Sequence, residues 1–142
     1  MSLGADVLPP LGVLKEEVVT GFGGSADLNL LLSGQMGLTM SIGFVSFEGR
    51  KDTMASFEGV PIRGGVKVYP TSSFYCAGQV GAFFLTGKRG HSAALSVCPI
   101  VGLELPLGLT TSIDLSARYD YVNLPRGWRA DLGFRVAAGF RL

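Results

Sequence analysis

The sequence predicts an all-β chain, an antiparallel up-and-down β-barrel of about eight strands, on three observations. Apolar and polar residues alternate with a period of two, most sharply towards the C-terminus. Turn chemistry recurs between the alternating runs. The connections are by turns plain and charged, as expected of consecutive hairpins whose closure into a ring removes the sheet edges.

Composition bounds the reading. The 142 residues suit one domain. A hydrophobic content of 47% and a mean hydropathy of +0.39, against 16% charged residues, exclude disorder. The 21 glycines follow no Gly-X-Y period, which excludes a collagen-like rod. Twelve basic and eleven acidic residues sum to +1 without a run of either sign, so nucleic acid is not an expected partner. Two cysteines and one histidine cannot build a zinc cage and offer few ways to set a base beside a nucleophile, so no metal, cofactor or catalytic residue is expected. The opening MSLGADVLPP has neither the basic start nor the apolar stretch of a secretory signal, and implies a signal already removed or a truncated start. Leu28 to Phe47 and Val68 to Gly87 are uncharged and long enough for membrane helices, but Ser33 to Gly37 and Pro70 to Ser73 interrupt them with turn chemistry.

Taken in chain order, a first strand is expected at about Leu3 to Leu14, against Pro9 and Pro10, which would break ladder pairing. Phe22 to Leu32 sets Phe22, Ala26, Leu28, Leu30 and Leu32 against Ser25, Asp27 and Asn29, and Leu38 to Phe47 sets Leu38, Met40, Ile42 and Phe44 against Thr39, Ser41 and Gly43. Ile62 to Tyr69 opposes Ile62, Val66 and Val68 to Arg63, Gly65 and Lys67. In Phe74 to Leu85 the inner-face candidates are Gln79 and Gly81, opposite Val80 and Phe84; in Ser96 to Leu105 only Glu104 labels a face and Pro99 interrupts, so a bulge is expected in either strand. Ser112 to Val122 separates Ile113, Leu115, Ala117, Tyr119 and Tyr121 from Asp114, Arg118 and Asp120. Arg129 to Leu142 separates Ala130, Leu132, Phe134, Val136, Ala138 and Phe140 from Arg129, Asp131, Gly133, Arg135 and Gly139. Short uncharged turns fall at Ser33 to Gly37, Pro70 to Ser73 and Pro106 to Thr111, and charged loops at Glu48 to Gly59, Gly87 to Ala93 and Asn123 to Trp128.

Alternation leaves two orientations open. A soluble barrel turns its apolar parity inward, whereas a barrel in lipid turns it outward. Four details favour a transmembrane β-barrel. Gly43, Gly65, Gly81, Gly133 and Gly139 lie on the polar parity, where a narrow interior must admit long ionic side chains. The strands run near the length a tilted strand needs to cross hydrocarbon. Tyr69, Tyr119, Tyr121 and Trp128 lie towards strand ends, as an interfacial aromatic girdle would. Charges on the polar parity balance, as an enclosed network requires. This reading places Arg63, Lys67, Gln79, Glu104, Asp114, Arg118, Asp120, Asp131 and Arg135 in the lumen, and Leu115, Tyr119, Tyr121, Leu132, Phe134, Val136 and Phe140 against lipid.

With IRGGVKVYP at a strand-to-turn boundary, SIDLSARYDYV as a penultimate strand and RADLGFRVAAGFRL as the last, the chain resembles the small eight-stranded outer-membrane β-barrel domains of Gram-negative bacteria over roughly Val18 to Leu142. The resemblance implies a bacterial outer-membrane location, outer-membrane lipid as surroundings, and the barrel-assembly machinery as a partner during biogenesis. That machinery reads a terminal aromatic residue in the family; here Leu142 is last and Phe140 stands two before it.

About eight strands enclose a space that side chains fill, so a wide pore is not expected and the leading function is structural or surface interaction, with Glu48 to Gly59 as the contact loop and its partner unknown. An outer-membrane lipid-modifying enzyme is one alternative, since His91 and Ser92 adjoin in a loop, but no acid lies nearby in sequence. A soluble barrel binding a lipophilic ligand is the other. GFGG at Gly21 to Gly24 lacks a following helix and is not a phosphate loop. Parity puts Cys76 outward and Cys98 inward, so free thiols are expected.

Overall fold

Strict alternation commits each strand to one inward and one outward row, and a sheet of such strands can satisfy every backbone group only by closing on itself. The computed structural model, which describes residues 1–8, 21–47, 57–87, 90–124 and 127–140, is that closed sheet. Its strands are β1 (Ser2–Leu8), β2 (Gly21–Ser33), β3 (Met36–Phe47), β4 (Phe57–Val68), β5 (Phe74–Gly87), β6 (Gly90–Pro106), β7 (Thr111–Leu124) and β8 (Gly127–Phe140). Each pairs antiparallel with the next, and β8 closes on β1 with Arg135 opposite Asp6. At the turn end the seam is fastened twice: the Met1 nitrogen donates to Phe140 O (2.9 Å) and the Phe140 nitrogen to Met1 O (2.7 Å).

Several strand limits differ from the sequence expectation, for physical reasons. β1 is described over Ser2–Leu8, and the rest of the expected Leu3 to Leu14 strand, with Pro9 and Pro10, lies outside the described residues. Prolines inside strands prove less disruptive. Pro61 lies within β4, so Phe57, Glu58 and Gly59 belong to the strand and not to the contact loop. Pro99 lies within β6, which runs 17 residues. Beside each proline a ladder omits two pairs, Gly43 to Pro61 and Phe44 to Val60, and Cys98 to Asp120 and Pro99 to Tyr119, and resumes in the same register, so neither β5 nor β6 carries the expected bulge. The recorded register shift is instead in β2, between Leu31 and Ser33.

The loop end is also shorter than expected. Gly87 pairs with Gly90 and Leu124 with Gly127, leaving residues 88–89 and 125–126 between strands; His91, Ser92 and Ala93 are strand residues of β6. The longer connections at this end are 9–20 and 48–56. The two uncharged stretches that could have been helices are the β2–β3 and β4–β5 hairpins, and among the described residues no helix is long and apolar enough to cross a membrane.

The orientation of the two rows is unambiguous. Phe134 and Val136 are exposed on the outer surface, while Arg118 and Arg135 are buried inside. The soluble alternative, with its apolar parity lining a pocket, is therefore overturned: the inward row carries the ions.

Candidate functional site

The interior is built from inward positions of all eight strands, and its chemistry changes with height. At the loop end Leu8, Val45, Phe83, Ala94 and Val122 are buried, with Leu85 packed against the last three. These stand on the polar parity, so face assignment by charge alone missed them; the sequence signal is that the inward rows of β1, β3, β5, β6 and β7 turn apolar near their loop-proximal ends, at Leu8, Val45, Phe83, Ala94 and Val122. Below them lies an ionic layer.

Two acid pairs organise that layer. Asp120 on β7 stands opposite Asp131 on β8, and Glu104 on β6 opposite Asp114 on β7, each a like-charge pairing that destabilises a sheet unless a cation intervenes. The cations come from other walls of the barrel. Arg63 on β4 reaches Asp120 at 2.7 Å and donates through Nε to Ser96 Oγ at 2.9 Å. Lys67, two inward positions further along β4, places Nζ 3.3 Å from Glu104 and 3.6 Å from Asp114. The same ammonium lies 3.6 Å from the Tyr75 ring centroid and 5.0 Å from that of Tyr69. Both phenols bind the acids, Tyr75 donating to Asp114 and Tyr69 to Glu104, each at 2.8 Å. Lys67 is thus enclosed by two carboxylates and two rings that themselves hydrogen-bond those carboxylates.

A third set closes the seam. Arg118 pairs with Asp6, and also approaches Asp120 at 3.9 Å; Arg135 pairs with Asp27 at 2.5 Å and lies 3.9 Å from Asp6. Gln79 donates to Thr39 Oγ1 at 3.1 Å and accepts from Ser41 at 3.0 Å. All nine residues expected in the lumen, Arg63, Lys67, Gln79, Glu104, Asp114, Arg118, Asp120, Asp131 and Arg135, face the interior, Glu104 half-buried near the turn end and the rest buried. The candidate list omitted Asp6 and Asp27, although both carry charge on the polar parity, and Tyr75, Ser96 and Cys98, which no charge labelled. Small spaces of about 30 Å³ at the loop end and about 20 Å³ around Lys67 and Arg135 lie within the interior, and a mouth of about 740 Å³ opens at the turn end beside Lys67, Glu104 and Asp114.

Glycine has a more varied role here than leaving room for ions. Gly133 does so, since a Cβ there would stand 3.1 Å from Arg118 Cγ; at Gly65 and Gly81 the close neighbour is instead the backbone of the adjoining strand, drawn in by tight coiling. Gly102, outside the expected set, accommodates the Tyr75 ring.

On the outer surface Leu115, Tyr119, Tyr121, Phe134, Val136 and Phe140 are exposed and Leu132 is half-exposed. Tyr119 and Tyr121 stack at 6.0 Å. Tyr69 does not join them: it turns inward to Glu104. The side chain of Trp128 lies outside the described residues. Glu58 is exposed on the outward row at the loop end of β4, where the apolar band stops. Cys76 is exposed and Cys98 buried, both free, on opposite faces of the wall. His91 and Ser92 are successive strand residues, and among the described residues no group of three or more His, Cys, Asp or Glu side chains could hold a metal.

No known family matches the chain in sequence, and none of the curated proteins does. Solved structures match its fold. Neisserial surface protein A superposes with a TM-score of 0.70 at 10% identity, covering 99% of this chain and 96% of that one. Ail, the attachment invasion locus protein of Yersinia pestis, solved with the heparin analogue sucrose octasulfate, gives 0.65 at 16% identity over 99% and 95%. The backbone structure of the same Yersinia pestis outer membrane protein in a phospholipid bilayer nanodisc gives 0.56 at 14% identity, over 99% of both chains. The chain therefore has the fold of the eight-stranded outer-membrane β-barrels.

Proposed function

We propose that this chain is an integral protein of the bacterial outer membrane, a closed barrel that anchors surface segments and neither conducts solutes widely nor catalyses a reaction. One observation carries the reading: the outward row is apolar around the whole ring while the inward row is ionic and paired. In water that arrangement would expose a continuous apolar band far larger than the patches soluble monomers tolerate. In lipid it is the favourable sense, since a Lys or Arg midway on the outer face costs about 2–4 kcal/mol and none is found there among the described residues. The fold shared with outer-membrane proteins supports the same surroundings.

The lumen is read as a plug. Cations from one wall hold acids on another, and the apolar cluster above them keeps water from the loop end, which strengthens each ion pair. The segment 48–56, now bounded by Phe47 and Phe57, is the proposed contact surface. Lipid is the proposed environment, and assembly through the barrel-assembly machinery is proposed to use Phe140, the last described aromatic residue. Fractionation with a heat-modifiability gel tests the reading: the unboiled protein should sediment with membranes and migrate faster than the boiled form, and a supernatant protein with one mobility would refute it.

A further inference from the structure

The three turns that join β2 to β3, β4 to β5 and β6 to β7 contain no charged residue; exposed leucines form the tip of the β6–β7 turn and stand beside Ser33, Gly34 and Gln35 of the β2–β3 turn. The β6–β7 turn presents Leu107 and Leu109, 67% and 96% exposed. On the β2–β3 tip Leu32, 67% exposed, is the extra residue at the register shift between Leu31 and Ser33. None of the three lines the open mouth of the barrel at this end. The β4–β5 tip differs, since after Pro70 it exposes the hydroxyl residues Thr71 and Ser72, with Ser73 half-exposed.

We infer that the β2–β3 and β6–β7 tips are immersed in the lipid layer, with Leu32 on one and Leu107 and Leu109 on the other seated among acyl chains, while the β4–β5 tip stays in the aqueous headgroup zone. The inference rests on the membrane reading above. Continuity is the first argument: Leu28 and Leu30 lead to Leu32 at the end of β2, and Leu103 and Leu105 to Leu107 and Leu109 beyond the end of β6, all exposed, so the apolar band reaches one strand end and passes the other. The second is backbone satisfaction. The Leu107 and Gly108 nitrogens both donate to Thr111 O, at 3.0 and 3.3 Å, so this tip carries two fewer open donors into hydrocarbon. The third separates lipid from a protein partner. The two tips are four strands apart in a ring of eight, on opposite sides of the barrel, and a partner docked on one side reaches only one of them. A bilayer encircles the barrel and meets both at one depth.

Single tryptophans in a Trp128→Phe background test this in phospholipid vesicles carrying an acyl-chain spin label. Val136→Trp reports the band, Leu32→Trp and Leu109→Trp the two tips, and Ser72→Trp the polar tip; heat-modifiability verifies that each has folded. The expected result is blue-shifted emission and loss of most intensity for Val136→Trp, Leu32→Trp and Leu109→Trp, with Ser72→Trp red-shifted and unquenched. The same indole at Ser72 controls for tryptophan's own affinity for interfaces. Quenching of Val136→Trp alone, or with one tip, overturns the inference and leaves the membrane reading standing; quenching of all four overturns it too, because the indole or the whole rim would then be immersed. An unquenched Val136→Trp in the folded protein removes both.

Discussion

Arg63 shows what a single interior residue holds. Its guanidinium lies 2.7 Å from Asp120, which faces Asp131 across the β7–β8 ladder and is otherwise approached by Arg118 at 3.9 Å. Arg63→Met should therefore destabilise the barrel by about 3–5 kcal/mol, the cost of stranding a buried charge, whereas Arg63→Met with Asp120→Leu should recover most of that loss. Denaturant midpoints of the single and double variants in detergent micelles measure the difference; equal loss in both would refute the pairing. Gly102 is a steric counterpart. A Cβ there would stand 2.5 Å from Tyr75 Cζ, so Gly102→Val should push the ring off Asp114 and cost about 1–3 kcal/mol, read from the same midpoints. Cys98 is buried, so a water-soluble thiol reagent should label it only after boiling, and the intact mass should not change with reductant.

Among the elements, β7 and β8 are the clearest, and their alternation was legible because each keeps several charges on one parity. Val136→Arg places a cation on the outer row of β8 and should lower stability by about 2–4 kcal/mol in lipid, with little change for an arginine at exposed Asn123 near the loop end of β7. Unfolding in vesicles measures both, and equal effects would contradict a depth-dependent surround. β5 and β6 were harder to place. Their inward rows hold Tyr75, Phe83, Ser96 and Cys98, which carry no formal charge, and Pro99 suggested an interruption that the ladder in fact absorbs. A proline removes one donor, and neighbours already paired on both sides keep the register.

For the molecule as a whole, function depends on whether the lumen is shut. Above the wide mouth at the turn end the interior narrows to spaces of about 30 and 20 Å³, and the proposed plug predicts no more than leak-level conductance in planar bilayers. Replacing both Arg63 and Arg118 by alanine removes the cations that tie β4 and β7 to acids across the lumen and should raise conductance; a wild-type channel as open as the variant would refute the plug.

The order of residues by itself determined the all-β class, the long hairpin strands and most of the inward and outward rows, because a period of two is a local property that survives any tertiary arrangement. It also exposed the charges that had to meet. Which acid met which cation was decided only by closure: Asp6 and Arg118, or Asp27 and Arg135, are far apart in the chain and reach one another because the ring brings β1 to β8 and the strand stagger sets their heights. The apolar cap of Leu8, Val45, Phe83 and Val122 has the same origin, since each is one unremarkable residue on its own strand and they form a layer only when the strands share an axis.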